Sequence, residues 1–220
     1  MIRLEHLTVV KQDTVILKDI DLTLHQGEKI LLKGESGSGK STLIKSLLFF
    51  EHFRGRILFN GESIGRQNLC HYRRQCGYLG QTVPNFQDNV RDFLYMPTTF
   101  KANKTLAFDP EKLASLLEKL NFAETVLDKK FSELSGGEKQ RIMILQMLML
   151  EKPIFLLDEV TSALDKKNIQ AAVSLLTADQ NRSLLSISHN EEWEDHCTRI
   201  IRIDKGEIVT DVTGTKRESH

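Results

Sequence analysis

The fold is decided by the stretch Gly34-Glu35-Ser36-Gly37-Ser38-Gly39-Lys40-Ser41-Thr42, which fits the pattern G-x-x-x-x-G-K-[ST] and follows the apolar run Lys29–Lys33. Glycines at these spacings let the backbone curl until successive N–H groups point at phosphate oxygens, and the following helix adds its positive dipole end. In this pattern Lys40 neutralises the β- and γ-phosphates and the Ser41 hydroxyl ligates Mg²⁺. All nine residues are therefore candidate nucleotide-binding residues, and the alternative is an ordinary glycine-rich turn.

Outward from this loop, apolar runs rich in β-branched residues alternate with stretches of helical character. Strands are predicted at Leu4–Val10, Val15–Leu24, Lys29–Lys33, Arg56–Asn60, Tyr78–Gln81, Ile154–Leu157, Leu184–Ser188, Arg199–Asp204 and Glu207–Val212, and helices at Lys40–Phe50, Glu138–Leu150 and Lys166–Ala178. This order predicts an α/β fold with a mostly parallel sheet between helices. From Pro84 to Glu133 the apolar residues come at helical spacing, which predicts a helical insert within the core.

Composition and charge exclude several classes of protein. Thirty Lys and Arg residues balance thirty Asp and Glu residues in 220, so the net charge is zero and holding nucleic acid is not the expected task. The three scattered cysteines favour a reducing compartment over a disulfide framework. The N-terminus lacks the apolar stretch of a leader, and the most apolar run, 142–150, is too short to cross a bilayer. A soluble, cytoplasmic chain is expected.

Two carboxylates end the most buried of the predicted strands. The run Ile154-Phe155-Leu156-Leu157-Asp158-Glu159 would place both at the carboxyl edge of a parallel sheet, where the phosphate loop also lies. Asp158 is then a candidate group for Mg²⁺, and Glu159 is a candidate to polarise an attacking water. A solvated acidic pair that opens a turn is the alternative.

A second glycine motif, Leu134-Ser135-Gly136-Gly137-Glu138-Lys139-Gln140-Arg141, precedes the longest helical run. Ser135 and Glu138 match a capping box, which would account for the start of a helix. However, two glycines in a first helical turn each cost about 1 kcal/mol relative to alanine. Bare backbone beside a capping hydroxyl therefore suggests close approach of an anion to the helix N-terminus.

In this order, GESGSGKST, LSGGEKQR and FLLDE resemble the motifs of the nucleotide-binding subunits of ATP-binding cassette (ABC) transporters, and the resemblance covers about residues 1–212. It implies a P-loop NTPase core with an antiparallel β-subdomain and an α-helical subdomain at about 84–133. The whole would be one ATPase domain, residues 1–213, with a flexible tail at 214–220.

The resemblance also implies roles for individual residues. The catalytic residues would be Glu159, His189, which contacts the γ-phosphate, and Gln81, which senses the membrane partner. Mg²⁺ would be held by Ser41, Gln81 and Asp158. In a head-to-tail homodimer, ATP would lie between the phosphate loop of one chain and Ser135, Gly136 and Gly137 of the other, and the loop 162–165 would join the two sites.

One departure from the family pattern concerns the base. The family usually has an aromatic residue in the first strand region that stacks on adenine, but Leu7–Leu17 contains none. Lys11 stands near the expected place, with Val15 close by. We therefore expect weak discrimination between ATP and GTP.

The kind of ABC protein follows from what lies between the motifs. About 90 residues between Lys40 and Leu134 leave no room for the long coiled coils of the repair and chromosome ATPases. The resemblance favours a separate ATPase subunit on the cytoplasmic face of the inner membrane, docked on permease subunits and most similar to bacterial iron-export ATPases. The docking segment would be Thr82–Leu94, where Phe86, Val90 and Phe93 are either exposed for docking or packed in the core. A soluble regulatory or translation-associated ATPase is the alternative.

Overall fold

The computed structural model describes residues 1–103, 106–107 and 109–213, so the predicted tail at 214–220 lies outside the described residues. The strands are β1 (Ile2–Lys11), β2 (Thr14–Leu24), β3 (Lys29–Lys33), β4 (Arg54–Phe59), β5 (Glu62–Ser63), β6 (Cys76–Leu79), β7 (Ile154–Asp158), β8 (Ser183–Ile187), β9 (Arg199–Asp204) and β10 (Glu207–Thr213). The α-helices are α1 (Lys40–Leu47), α2 (Leu69–Gln75), α3 (Val90–Tyr95), α4 (Pro110–Lys119), α5 (Gly136–Met149) and α6 (Lys166–Thr177).

A six-stranded sheet in the order β10-β9-β3-β8-β7-β6 forms the centre of the molecule. All neighbours from β9 to β6 are parallel, and only β10 pairs antiparallel. Every residue of β7 and β8 is buried, as expected for central strands covered on both faces. The predicted parallel core is confirmed, and it brings the carboxyl ends of β3, β7 and β8 to one edge.

The second sheet, in the order β2-β1-β4-β5, is antiparallel throughout. Its apolar residues join α1 and one face of the central sheet in a single buried cluster. Alternation along β3 shows the two faces, because Ile30 and Leu32 belong to this cluster while Leu31 belongs to the cluster formed by the helices. This packing holds the phosphate loop between the two sheets.

The described residues of the insert predicted at Pro84–Glu133 are mainly helical, but only α3 and α4 among them are α-helices. Short 3-10 helices, among them Met96–Thr99 and Glu124–Asp128, make up part of the rest. The exposure considered for Val90 and Phe93 is wrong, because these side chains are 0% and 3% exposed. Phe93 stacks on Phe131 with ring centroids 4.4 Å apart, and Phe86 packs edge-on against both rings. Aromatic packing therefore fixes the start of the insert on the core.

Helix α2 was not expected from the sequence. It is seven residues long, and Tyr72 is its one buried residue. A helix with so little apolar surface has no periodic pattern to reveal it, so its formation depends on the contact of Tyr72 with the core. Gln81, expected at the end of a strand, lies two residues beyond β6.

Candidate nucleotide-binding and hydrolysis site

The loop between β3 and α1 has a backbone that only glycine adopts without strain at two crowded positions. Gly34 has φ +147°, and a Cβ there would lie 2.1 Å from the carbonyl oxygen of Ile203. Gly39 has φ +106°, and a Cβ there would lie 2.7 Å from Leu17 Cδ2. Gly37 also has a positive φ, but nothing lies within 4 Å of its Cβ position. Both ends of the loop are therefore packed against the rest of the protein, whereas its middle is open.

Lys40 spans the loop from the first turn of α1. Its Nζ donates hydrogen bonds to the carbonyl oxygens of Gly34, at 2.8 Å, and Glu35, at 2.7 Å. Burial lowers the pKa of the ammonium group, and the nearby carboxylates of Glu159 and Asp158 oppose that shift. The charge is therefore held inside the loop by neutral carbonyls, which a phosphate oxygen could replace.

Ser41 and Asp158 meet at the sheet edge. The Ser41 hydroxyl donates to Asp158 Oδ1 at 3.0 Å, and Asp158 is 4% exposed. Burial raises the pKa of the Asp158 carboxyl, with the Ser41 hydrogen bond acting in the opposite direction. A hydroxyl and a buried carboxylate side by side form an oxygen-only donor set, which fits a hard cation such as Mg²⁺.

Glu159, Gln81 and His189, predicted from separate stretches, come together next to this pair. Gln81 Nε2 donates to Glu159 Oε2 at 2.9 Å, and His189 Nε2 lies 3.7 Å from Glu159 Oε1. Glu159 has φ +54°, and its N–H donates to the Ile187 carbonyl oxygen at 3.1 Å. This turn directs Glu159 into a cleft of about 420 Å³, while Asp158 points to Ser41.

The second glycine motif forms the predicted capping box. The Ser135 N–H donates to Glu138 Oε2 at 2.8 Å, and the Glu138 N–H donates to Ser135 Oγ at 3.3 Å. The Ser135 hydrogen bonds lower the pKa of Glu138. Ser135 and Gly136 are exposed, and neither they nor Gly137 are among the described residues that line the cleft. Within one chain, the two glycine motifs are therefore separate.

The residue of β2 that lines the cleft is Ile16, which the sequence analysis did not single out. Lys11, expected near the base, instead pairs with Glu51 at 2.6 Å, and Val15 is 45% exposed. The alternation of side chains along a strand could have predicted that Ile16 faces the cleft. However, β-bulges in the β1–β2 pairing shift the register, and the sequence does not show where they occur.

The loop after Glu159 is held by side chains that the sequence analysis also did not single out. Gln140 donates from Nε2 to Ser162 Oγ at 3.2 Å and accepts from the Ala163 N–H at 3.0 Å. Thr161 Oγ1 accepts hydrogen bonds from Asn190 and Trp193. These contacts join residues distant in sequence, and no local pattern signals them.

The family model described as "ABC transporter" matches residues 17–162. This chain belongs to the ABC transporter family. It is 33% identical to the "Probable iron export ATP-binding protein FetA" of Escherichia coli (strain K12), over 92% of this chain and 91% of that protein. It is also 34% identical to the "ATP-dependent lipid A-core flippase" of Hahella chejuensis, but covers only 35% of that longer protein.

Solved structures show the same fold. A dimeric bacterial ABC transporter cassette matches with a TM-score of 0.84 at 24% identity, over 98% of this chain and 99% of that one. A bacterial Atm1-family ABC exporter with ATP bound matches with a TM-score of 0.85 at 24% identity, over 97% of this chain and 39% of that one. The family, the fold and the phosphate loop identify the chain as an ABC-type ATPase. None of the described helices is long and apolar enough to span a membrane.

Proposed function

We propose that this ATPase powers transport through separate membrane-spanning subunits and that its cargo is iron, moved outward. Support comes from the end-to-end match with a protein named for iron export, since 92% of this chain aligns with 91% of that one. The match covers only about a third of the length of the flippases, so their names say less about the cargo of this chain than the name of the iron-export protein does.

In the proposed mechanism, one set of residues holds the phosphates and another activates the attacking water. Backbone N–H groups of the loop 34–39 and the Lys40 ammonium hold the β- and γ-phosphates. Ser41 and Asp158, with Gln81 nearby, would hold Mg²⁺. The ion, when bound, neutralises charge on the phosphate oxygens. A bound Mg²⁺ would stabilise the charge of the Asp158 carboxylate, which burial disfavours.

Glu159 is the proposed general base. Its carboxylate lines the cleft and would accept a proton from the water that attacks the γ-phosphate. The Gln81 amide holds one carboxylate oxygen and leaves the other facing His189. His189, whose side chain is 59% exposed, is free to turn towards a γ-phosphate.

The complete site is proposed to form between two copies of the chain. The phosphate loop of one copy would face Ser135, Gly136 and Gly137 of the other, with ATP between them. The argument is that the N-terminus of α5 is exposed and that nothing lies within 4 Å of the Gly136 Cβ position. Bare backbone at a helix N-terminus is a suitable surface for a γ-phosphate.

The proposed contact with the permease is a groove of about 490 Å³ next to the glutamine segment. Its lining includes Val83, Pro84, Asn85, Phe86, Phe131, Ser132, Gly136 and Lys139. The groove thus touches both the segment after Gln81 and the start of α5. A helix seated there would contact both halves of the proposed site, which would place the protein on the cytoplasmic face of the inner membrane.

The experiment is purification of the tagged chain from its native cells in mild detergent. A multi-span membrane protein that co-purifies, and is lost when Phe86→Asp alters the groove, supports the transport function; Phe100→Asp, an exposed aromatic outside that lining, is the control. Co-sedimentation with ribosomes, without a membrane partner, would favour the translation-associated alternative. Iron accumulation in cells that lack the chain tests the cargo separately.

A further inference from the structure

Two of the proposed catalytic residues, Glu159 and His189, follow the different strands β7 and β8, and one buried hydroxyl connects the two segments. Thr161 stands two residues after Glu159 and is 1% exposed. Its Oγ1 accepts a hydrogen bond from Asn190 Nδ2 at 3.2 Å and another from Trp193 Nε1 at 3.1 Å. Asn190 directly follows His189, so this one oxygen ties the loop after β7 to the segment after β8.

The segment after His189 is held on several sides. The Asn190 N–H donates to Ser188 Oγ at 3.1 Å, and Glu194 forms an ion pair with Lys33, the last residue before the phosphate loop. Trp193 is completely buried between these contacts. The backbone that carries His189 is therefore fixed, although the imidazole itself is exposed.

The Thr161 side of the contact is equally constrained. The Ser162 N–H donates to the Glu159 carbonyl oxygen at 3.3 Å, which closes a tight turn around Thr161. Because Thr161 lies inside this turn, a shift of its hydroxyl would move Glu159 as well as Asn190. The Thr161 contacts thus hold together the two segments that carry Glu159 and His189, whose side chains lie 3.7 Å apart.

We propose that Thr161 is a positioning residue for ATP hydrolysis, whose hydroxyl oxygen fixes His189 relative to Glu159 through Asn190 and Trp193. This inference rests on the roles proposed for Glu159 and His189. A buried indole N–H needs an acceptor in any protein. The arrangement here goes further, because the same oxygen also takes the amide of the residue next to His189.

The test compares Thr161→Val, which keeps the shape but removes the acceptor, with Thr161→Ser, which keeps the oxygen. For Thr161→Val we expect kcat for ATP hydrolysis to fall on the order of tenfold, with KM for ATP changed less than about twofold. Thr161→Ser should restore kcat to within about twofold of the parent. An unchanged kcat, or equal losses in both variants, would overturn the proposal.

A double-mutant cycle separates this proposal from the one on which it rests. His189→Ala should itself lower kcat, and Thr161→Val should then add less than about twofold, since no imidazole is left to position. An undiminished tenfold loss in the His189→Ala background would show that Thr161 does not act through His189. If His189→Ala leaves kcat unchanged, the role proposed for His189 fails first, and the positioning role of Thr161 fails with it.

Trp193 is the only tryptophan of the chain, so its indole N–H gives one resolved NMR signal. Thr161→Val should shift that signal and Thr161→Ser should leave it near its original position. If Thr161→Val does not fold, Trp193→Phe removes the donor and retains an aromatic ring. It should reproduce the tenfold loss of kcat, and a parent-like kcat in folded Trp193→Phe would also overturn the proposal.

Discussion

Two glycine motifs open helices α1 and α5, and they differ in what surrounds them. The ends of the loop 34–39 are packed against its own chain, because Lys40 binds its carbonyls and a side chain at Gly34 would meet the Ile203 carbonyl oxygen. The start of α5 is capped by its own Ser135 and Glu138, yet Gly136 faces open space. The first motif owes its shape to the fold around it, whereas the second leaves a bare surface that we expect a second copy to cover.

The two motifs also differ in electrostatics. Lys40 carries a charge that burial disfavours, and carboxylates at the sheet edge support it. At α5 the acidic residue of the first turn is Glu138, which the cap itself uses, and the Lys139 ammonium donates to the Ser132 carbonyl oxygen. A site made of these two parts would combine a cation from one chain with uncharged N–H donors from the other.

The largest effect is expected for Glu159→Gln, which keeps the size of the side chain and removes the base. Hydrolysis should fall at least about a hundredfold, the usual scale for a general base, while Mg-ATP binding survives. Uncleaved ATP should then hold two copies together through Lys40 of one and Ser135 of the other. Phosphate release and size-exclusion chromatography with and without Mg-ATP measure both results.

The matched control for this variant is Glu118→Gln, an exposed position on α4 that should behave like the parent. Parent-like turnover of Glu159→Gln would remove Glu159 from catalysis. A variant that binds ATP but stays monomeric would instead break the proposed pairing of the two motifs.

Lys40→Ala should lower the affinity for Mg-ATP on the order of tenfold to a hundredfold, because a charged hydrogen bond to the phosphates is lost. Turnover should fall as well. Isothermal titration calorimetry measures the affinity, with Lys119→Ala on the exposed face of α4 as the control. Unchanged binding would show that the loop 34–39 does not hold phosphate through Lys40.

A matched pair of glycine substitutions tests the comparison directly. Gly34→Ala should lower the free energy of unfolding by about 3 kcal/mol, because φ is +147° and a Cβ would meet the Ile203 oxygen at 2.1 Å. Gly136→Ala should retain the stability, or raise it by up to about 1 kcal/mol, because alanine favours helix. Denaturant unfolding measures both.

Gly136→Ala, which should leave the stability intact, should instead impair ATP-dependent dimerisation. Introduced into the Glu159→Gln background, Gly136→Ala should weaken ATP-dependent dimerisation, since its methyl group occupies the bare surface. Full dimerisation of that double variant would mean that the exposed face of Gly136 is not where the second copy binds.

The smallest effect concerns the base. GTP should compete for the site within about tenfold of ATP, because Ile16 rather than an aromatic ring lines the cleft and one missing stack is worth about 1 kcal/mol. Competition against a fluorescent ATP analogue measures this ratio. Ile16→Tyr should increase the preference for ATP, and a hundredfold preference in the parent would show that another group reads the base.

Much of the fold and most of the site residues could be predicted from the sequence because their signals are local. The phosphate loop, the Ser135 capping box and the wholly apolar strand before Asp158 each lie within nine consecutive residues. Helix α2 was missed because its single buried side chain, Tyr72, leaves no periodicity. Val90 and Phe93 could not be assigned to core or surface, since both settings accept an apolar residue at helical spacing.

The sequence by itself determined which chemistry the chain carries: glycines that allow positive φ, a lysine and hydroxyl at a helix start, and carboxylates at a strand end. Tertiary structure alone decided which of these groups meet. It put Gln81 and His189 on either side of Glu159, and it joined Thr161 to Trp193. The physical reason is that strand order and packing set distances between residues far apart in sequence, and local propensity carries no information about those distances.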